Sequence, residues 1–266
     1  KKGLDIPIKG DAEKILQNAP RSETYAVCPP DFHGLTPKLL VQEGDRVKAG
    51  TPLFFDKYNE KILFVSPVSG VFTSLIRGEK RRILELRIKP DPIDEYVAFN
   101  PGMPDQLDRE QLIDLLLKSG LWPGIRQRPY SVIANPAHTP RSIFVSCFHT
   151  APLAADLDFV IQGQEDDFQK GLDVLKRLTD GPVHLGVHQN HTRSGAFTTA
   201  KGVKVHVFNG PHPSGNVGTQ IAHISPINKG DIVWYTGVQE VIGIGRLFSK
   251  GVYDAGRIIA LAGSEV

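Results

Sequence analysis

Over the first hundred residues the apolar positions fall in short runs broken by glycine and proline. In Leu84-Glu85-Leu86-Arg87-Ile88 apolar and charged side chains alternate, the period-two pattern of a strand with one buried face. Lys38–Val41, Pro52–Phe55, Lys61–Val65, Gly70–Ile76 and Ile83–Ile88 read as strands, divided by turns such as Glu43-Gly44-Asp45 and Arg77-Gly78-Glu79. The pattern predicts a compact all-β unit over residues 1–99, with Asn100-Pro101-Gly102-Met103-Pro104 as the joint to a second region.

From Leu107 onward helical periodicity alternates with buried strands. Asp108 is placed to cap a helix whose third position is Gln111, with Leu112, Leu115 and Leu116 on one side. A second helix is predicted over Glu165–Thr179. Its acids Glu165, Asp166 and Asp167 suit the positive end of the helix dipole, and Lys176 and Arg177 the negative end. Phe168, Leu172, Leu175 and Leu178 form its buried stripe. Strands are expected at Arg141–Cys147, Val183–Val187, Val203–Phe208, Ile232–Tyr235 and Arg257–Leu261, with helices at Gly215–His223 and Val238–Phe248. Strands alternating with helices predict a largely parallel α/β sheet over residues 100–266. The fold class is therefore α/β plus all-β.

Composition narrows the function classes. The 266 residues carry 31 Lys+Arg against 29 Asp+Glu, a net charge of +2, too near neutral for a dedicated nucleic-acid binder. Cys28 and Cys147 stand alone, so the chain lacks the clustered thiolates of a zinc site or an iron–sulfur cluster. Apolar runs such as Ile62–Val65 are far shorter than the ~20 residues needed to span a bilayer. The opening Lys1–Ile6 lacks the apolar stretch of a signal peptide. The chain reads as soluble and cytoplasmic. It has no initiating Met and stops just after an apolar run, which suggests a piece of a longer protein.

Several residues invite a chemical reading. The loop Gly210-Pro211-His212-Pro213-Ser214-Gly215-Asn216-Val217-Gly218-Thr219 follows a predicted strand and opens a predicted helix. Its backbone N–H groups are placed to hold an anion, so His212, Ser214, Gly215, Gly218 and Thr219 form a candidate anion or interface loop. The alternative is a plain turn with Ser214 as helix cap. The loop matches neither a dinucleotide fingerprint nor a P-loop. Gly243-Ile244-Gly245 lies inside a predicted helix, where close helix packing accounts for it. His184, His188 and His191 are read as surface residues not sharing one face. Arg126, Arg128 and Arg141 suit either phosphate or acidic side chains. Trp122, Tyr130 and Phe148 are candidates for an apolar cleft or for core. No nucleophile elbow, kinase set or H-E-x-x-H zinc motif is present, so no catalytic and no metal residues are expected.

The turns around Val41–Leu53, followed by Ser66-Pro67-Val68-Ser69-Gly70-Val71, resemble the biotinyl/lipoyl-carrier or barrel-sandwich hybrid pattern. In a carrier, a lysine at a hairpin tip receives the prosthetic group. Asn59-Glu60-Lys61 lies roughly there, at a spacing shorter than the carrier pattern, and an unmodified scaffold is the reading adopted.

The chain as a whole resembles the NqrA family, peripheral subunits of the sodium-translocating NADH:quinone reductase. The resemblance rests on Lys1–Ile8, Glu43-Gly44-Asp45, Ser119-Gly120-Leu121-Trp122, Arg126-Gln127-Arg128-Pro129 and Pro152-Leu153-Ala154-Ala155-Asp156. Gly210–Thr219 and the run from Val233-Trp234 through Gln239-Glu240-Val241-Ile242 to Leu261-Ala262-Gly263 complete it. It implies a peripheral subunit on the cytoplasmic face of the bacterial inner membrane, within a six-subunit complex that passes electrons from NADH to ubiquinone and exports sodium. It also implies that NADH, flavins and iron–sulfur centres reside in partner subunits, with ubiquinone the ligand this chain would share. The domain order is similar to the C subunit of the Rnf complex and the flavoprotein subunit of complex I, which hold flavin and nucleotide on a glycine-rich loop after the first helix. Here that place is Ser119–Pro129, where Trp122 and Ile125 replace small residues, implying a Rossmann-like domain without that site. The competing reading is a soluble flavin- or nucleotide-binding oxidoreductase using Gly210–Thr219.

Overall fold

The computed structural model describes residues 3–6, 8 and 13–261. Lys1, Lys2, Pro7, Ala262 and Gly263, which contribute to the family resemblance, lie outside the described residues. By compactness the chain forms two units. One holds residues 19–136 and 246–255, the other 1–18, 137–245 and 256–266.

In the first unit the strands are β1 (Tyr25–Val27), β2 (Pro37–Leu39), β3 (Arg46–Val47), β4 (Pro52–Asp56), β5 (Asn59–Val65), β6 (Gly70–Arg77) and β7 (Ile83–Pro90). They form an antiparallel sheet in the order β1-β7-β6-β3 and a second in the order β2-β4-β5, the paired sheets of a barrel-sandwich hybrid. Alternation places Leu86 and Ile88 inward, fully buried, while Arg87 and Lys89 face out. Phe54 stacks on Phe64 at 4.6 Å, and Phe32 meets Phe64 edge-on at 4.7 Å.

Helix α1 (Arg109–Lys118) packs in the same unit, against β5. Asp108 caps it as its sequence predicts. Its carboxylate accepts the Gln111 N–H at 2.8 Å, and the Gln111 side chain accepts the Asp108 N–H at 2.9 Å, closing a capping box. A short hairpin, β8 (Arg126–Arg128) and β9 (Val132–Ile133), follows.

The remaining elements are β10 (Ile143–Ser146), α2 (Leu157–Val160), α3 (Glu165–Arg177), β11 (Val183–His188), α4 (Gly195–Thr198), β12 (Lys204–Phe208), α5 (Val217–Ile224), β13 (Val233–Thr236) and α6 (Val238–Lys250). In the second unit β12, β11, β10 and β13 lie side by side in that order and all parallel. Helix α3 buries the predicted stripe, with Phe168 edge-on to Phe197 of α4 at 5.2 Å. Helices α3 and α6 approach closely because β-carbons on Gly171 and Gly245 would overlap the carbonyls of Val241 and Asp167. This accounts for Gly245, the second glycine of the pair inside α6.

The strand predicted over Arg257–Leu261 does not form. The segment is extended, but its backbone partner is a side chain. Gln239 Nε2 donates to the Ile258 carbonyl at 2.9 Å, and Gln239 Oε1 accepts the Ile258 N–H at 2.8 Å. One amide does the work of a neighbouring strand at a single residue, which leaves Ile259 and Leu261 exposed. Among the described residues no helix is long and apolar enough to cross a membrane.

Candidate functional site

Open parallel sheets bind ligands in the crevice beyond the carboxyl ends of their strands. Here that rim is formed where β10 ends at Ser146, β11 at His188 and β12 at Phe208. The glycine-rich loop 210–219 lies on it. Gln220 of α5 donates to the Ser146 hydroxyl at 2.8 Å, and that hydroxyl reaches the Gly215 carbonyl at 2.9 Å and the Phe148 carbonyl at 3.0 Å. Gln220 crosses β11 at Gly186, where a β-carbon would overlap its amide.

The loop is also tied along its own length. The Gly215 N–H donates to Thr150 Oγ1 at 3.1 Å, and the same oxygen lies 3.1 Å from His212 Nδ1. A β-carbon on Gly215 would stand 2.7 Å from the Thr150 nitrogen, so the approach needs glycine. The Ser214 and Asn216 N–H groups donate to the Pro211 and Pro213 carbonyls at 3.0 and 2.9 Å. The Ser214 hydroxyl donates to the Gly210 carbonyl at 2.8 Å. Ser214 is therefore not the helix cap. The cap position belongs to Asn216, whose side chain makes no capping bond. Gly218 and Thr219 lie in the first turn of α5. There the Thr219 N–H donates to Asn216 and its carbonyl accepts from His223 Nδ1 at 2.8 Å.

His212 is closed from outside the loop by residues from the start of the chain. Its N–H donates to the Asp5 carboxylate at 3.1 Å, and its carbonyl accepts the Leu4 N–H at 3.0 Å. A β-carbon on Gly3 would stand 2.6 Å from that carbonyl. A carboxylate of the protein itself thus sits where the loop would offer a backbone donor to an anion.

His184 and His188 are buried, which corrects their reading as surface residues; His191 is exposed. Because β11 runs from Val183 through His188, His184 and His188 are four apart on one strand and share a face. His184 stacks on Phe144 at 4.5 Å and lies 2.8 Å from His206 Nε2. Burial, then the neighbouring His206, pulls its pKa from 6.5 to about 4. His188 stacks on His191 at 4.4 Å and tilts against Phe148 at 5.2 Å, and burial lowers its pKa too. Among the described residues no group of His, Cys, Asp or Glu is arranged to hold a metal ion. Burial pushes the Cys147 thiol well up from its ordinary value.

The other candidates separate. Arg141 pairs with Asp231 at 2.7 Å and donates to the Ser225 and Pro226 carbonyls at 3.0 Å, a loop-holding role. Arg126 and Arg128 are half-buried on β8. Trp122 is fully buried, its indole N–H donating to the Ala134 carbonyl at 2.8 Å, while Tyr130 is exposed. Phe148 is core, packed on His188 and Phe208. Lys61 lies within β5; the β4–β5 hairpin tip is Lys57-Tyr58.

At Ser119–Pro129, Gly120 has φ +75° and packs so that a β-carbon would stand 2.5 Å from Val65. With Trp122 and Ile125 both fully buried, this segment is core packing. Asp5, Thr150, Ser146 and Gln220 escaped the sequence reading. The one signal available was Gly186 inside an apolar strand, a mark of close approach by another group.

Residues 107–253 match the family model described as NqrA second alpha/beta domain, and residues 1–91 match NqrA N-terminal barrel-sandwich hybrid domain. The chain is 41% identical over 271 residues to the NqrA subunit of the Na(+)-translocating NADH-quinone reductase of Yersinia pestis, covering 100% of itself and 60% of the relative. It is 40% identical to the corresponding subunit of Tolumonas auensis over 269 residues and 39% to that of a Marinomonas species over 268 residues. All of this chain is covered in both matches, with 60% and 59% of the relatives' length. The chain thus spans about 60% of the length of these relatives.

Proposed function

The chain belongs to the NqrA family, and from that premise we propose that it acts as a peripheral subunit of a sodium-translocating NADH:quinone reductase. In this reading it sits on the cytoplasmic face of the inner membrane, attached through the other members of a six-subunit complex. Its role is structural, with no redox cofactor of its own. NADH, flavins and iron–sulfur centres belong to partner subunits, and ubiquinone is the one ligand it would share with them.

One observation carries the cofactor-free part. The loop 210–216, placed where an α/β domain takes a phosphate, spends its backbone donors on the protein. His212 donates to Asp5, Ser214 to Pro211, Gly215 to Thr150 and Asn216 to Pro213. A pyrophosphate there would displace a carboxylate and several internal hydrogen bonds, each costing about 1 kcal/mol. The buried Trp122 at the corresponding flavin-loop position supports the same reading.

Two measurements test it. A tagged chain carried at the full length of its relatives is recovered from detergent-solubilised membranes. Co-purification of flavin-carrying membrane partners with NADH:quinone activity is expected, and recovery without a membrane partner overturns the assignment. The isolated chain is also titrated with NADH and FMN. A colourless protein with no saturable response is expected, whereas bound flavin absorbance restores the soluble oxidoreductase. Photoreactive quinone labelling of the assembled complex then tests the ubiquinone contact.

A further inference from the structure

A cavity of about 370 Å³ in the first unit is lined by Arg77, Arg81 and Arg82, with Pro29, Leu35 and Ile83 among its apolar walls. Arg81 and Arg82 come from the turn that joins β6 to β7, and Arg77 is the last residue of β6. That turn is held by its own backbone, with Gly78 N–H to the Arg82 carbonyl at 2.8 Å and Arg82 N–H to the Glu79 carbonyl at 3.1 Å. Arg77 Nη1 donates to the Arg81 carbonyl at 3.0 Å.

Two consecutive side chains in the turn, Lys80 and Arg81, hold φ of 53° and 60°. This left-handed conformation strains any L side chain and suits glycine. Such strain is concentrated where a surrounding structure or a ligand exploits it. Arg81, one of the two, lines the cavity together with Arg82 and Arg77. Among the described residues none of Arg77, Lys80, Arg81 and Arg82 forms an ion pair, whereas Arg87 on the adjoining strand pairs with Glu85 at 2.7 Å. Clustered guanidinium groups repel one another unless an anion joins them, and their planar donor forks match phosphate oxygens.

We propose that this cavity binds an organic phosphate, its phosphate held by Arg81 and Arg82 with Arg77 beside them and its apolar part resting on Pro29, Leu35 and Ile83. A soluble phosphate ester and the headgroup of an anionic phospholipid share this chemistry. The inference rests on the turn and its cavity alone, independent of the role proposed within the reductase complex.

The test follows backbone amide resonances of residues 77–83 in the full chain. Inorganic phosphate, glycerol 3-phosphate and phosphatidylglycerol vesicles are added separately, with sodium chloride at matched ionic strength and phosphatidylcholine vesicles as controls. Saturable shifts confined to the turn are expected with at least one of the three anionic phosphate probes and with neither control. A response to phosphatidylglycerol vesicles alone identifies a lipid headgroup, and a response to inorganic phosphate or glycerol 3-phosphate identifies a soluble phosphate. Arg82→Gln and Arg81→Gly should each weaken binding about tenfold or more, the loss expected for one charge-assisted contact. Arg81→Gly should leave the melting temperature unlowered, since glycine takes φ 60° without strain. Shifts that follow ionic strength alone, or affinities equal to wild type in both variants, overturn the proposal.

Discussion

Gly245 of α6 lies against the carbonyl oxygen of Asp167 on α3, too close for a β-carbon to fit between them. Four residues along each helix the relation is reversed, with Gly171 of α3 against the Val241 carbonyl of α6. Two glycines, one on each helix, therefore set the approach of the helices that cover the parallel sheet.

Gly245→Ala and Gly171→Ala should each destabilise the fold by about 3 kcal/mol, because the obstacle is backbone and cannot rotate away. Gly163→Ala is the control. It has φ +72° with open space around it, so only the left-handed penalty of about 1 kcal/mol applies. Urea denaturation midpoints separate the two classes, and equal losses at all three sites would refute the packing argument.

Stability should fall on mild acidification. His184 has its pKa lowered from 6.5 to about 4 in the fold, first by burial and then by His206, Lys204 and Arg141. Below pH 6.5 the unfolded chain takes up this proton and the folded chain does not. The fold therefore loses stability as pH drops from about 6.5 to about 4, and above that window the group contributes no slope. His206, His188 and His149 shift in the same direction. His184→Gln keeps a polar partner for His206 while removing a titration. Thermal melts across the window should show a shallower pH slope in this variant than in wild type.

Trp122→Phe should cost about 2 kcal/mol, since it removes both buried volume and the N–H that satisfies the Ala134 carbonyl. A melting temperature equal to wild type would mean that the segment 119–129 is not core.

Asp5→Ala should leave global stability within about 0.5 kcal/mol of wild type, because Asp5 is exposed. Amide hydrogen exchange at His212 should nevertheless accelerate, since its acceptor is gone. Unchanged exchange at that amide would show that the start of the chain does not close the loop.

The elements whose signals are local were legible in advance. Asp108 and Gln111 close their capping box within one turn, and the stripe Phe168-Leu172-Leu175 needed only helical period to be seen. Alternation in Leu84–Ile88 gave β7 its buried face. The two-residue strand β3 and the one-turn helices α2 and α4 carry too few positions for a period to show. The Arg257–Leu261 run has the apolar content of a strand, but its hydrogen-bond partner is Gln239, and no local pattern announces that.

The candidate loop was legible as a place and not as a state. Strand, glycine-rich turn and helix in succession located it, yet Ser214 turned inward to Gly210 and Asn216 took the cap position. His184 and His188 were misjudged because a polar residue on a strand gives no sign of which neighbours cover it. Phe144, Phe148 and His206 do so here.

By itself the sequence determined that a β region precedes an α/β region, the Asp108 capping box and the family. These follow from periodicity, turn chemistry and motif spacing, which act between residues a few positions apart. Only the tertiary structure decided that Asp5 closes the loop at His212, that Gln220 lies across Gly186, and that Gly171 and Gly245 bring two helices together. It also decided that Arg77, Arg81 and Arg82 share a cavity with Leu35. Each of these depends on groups distant in the chain finding a partner in space. A donor or a charge fixes only what it needs, and the fold fixes which neighbour supplies it.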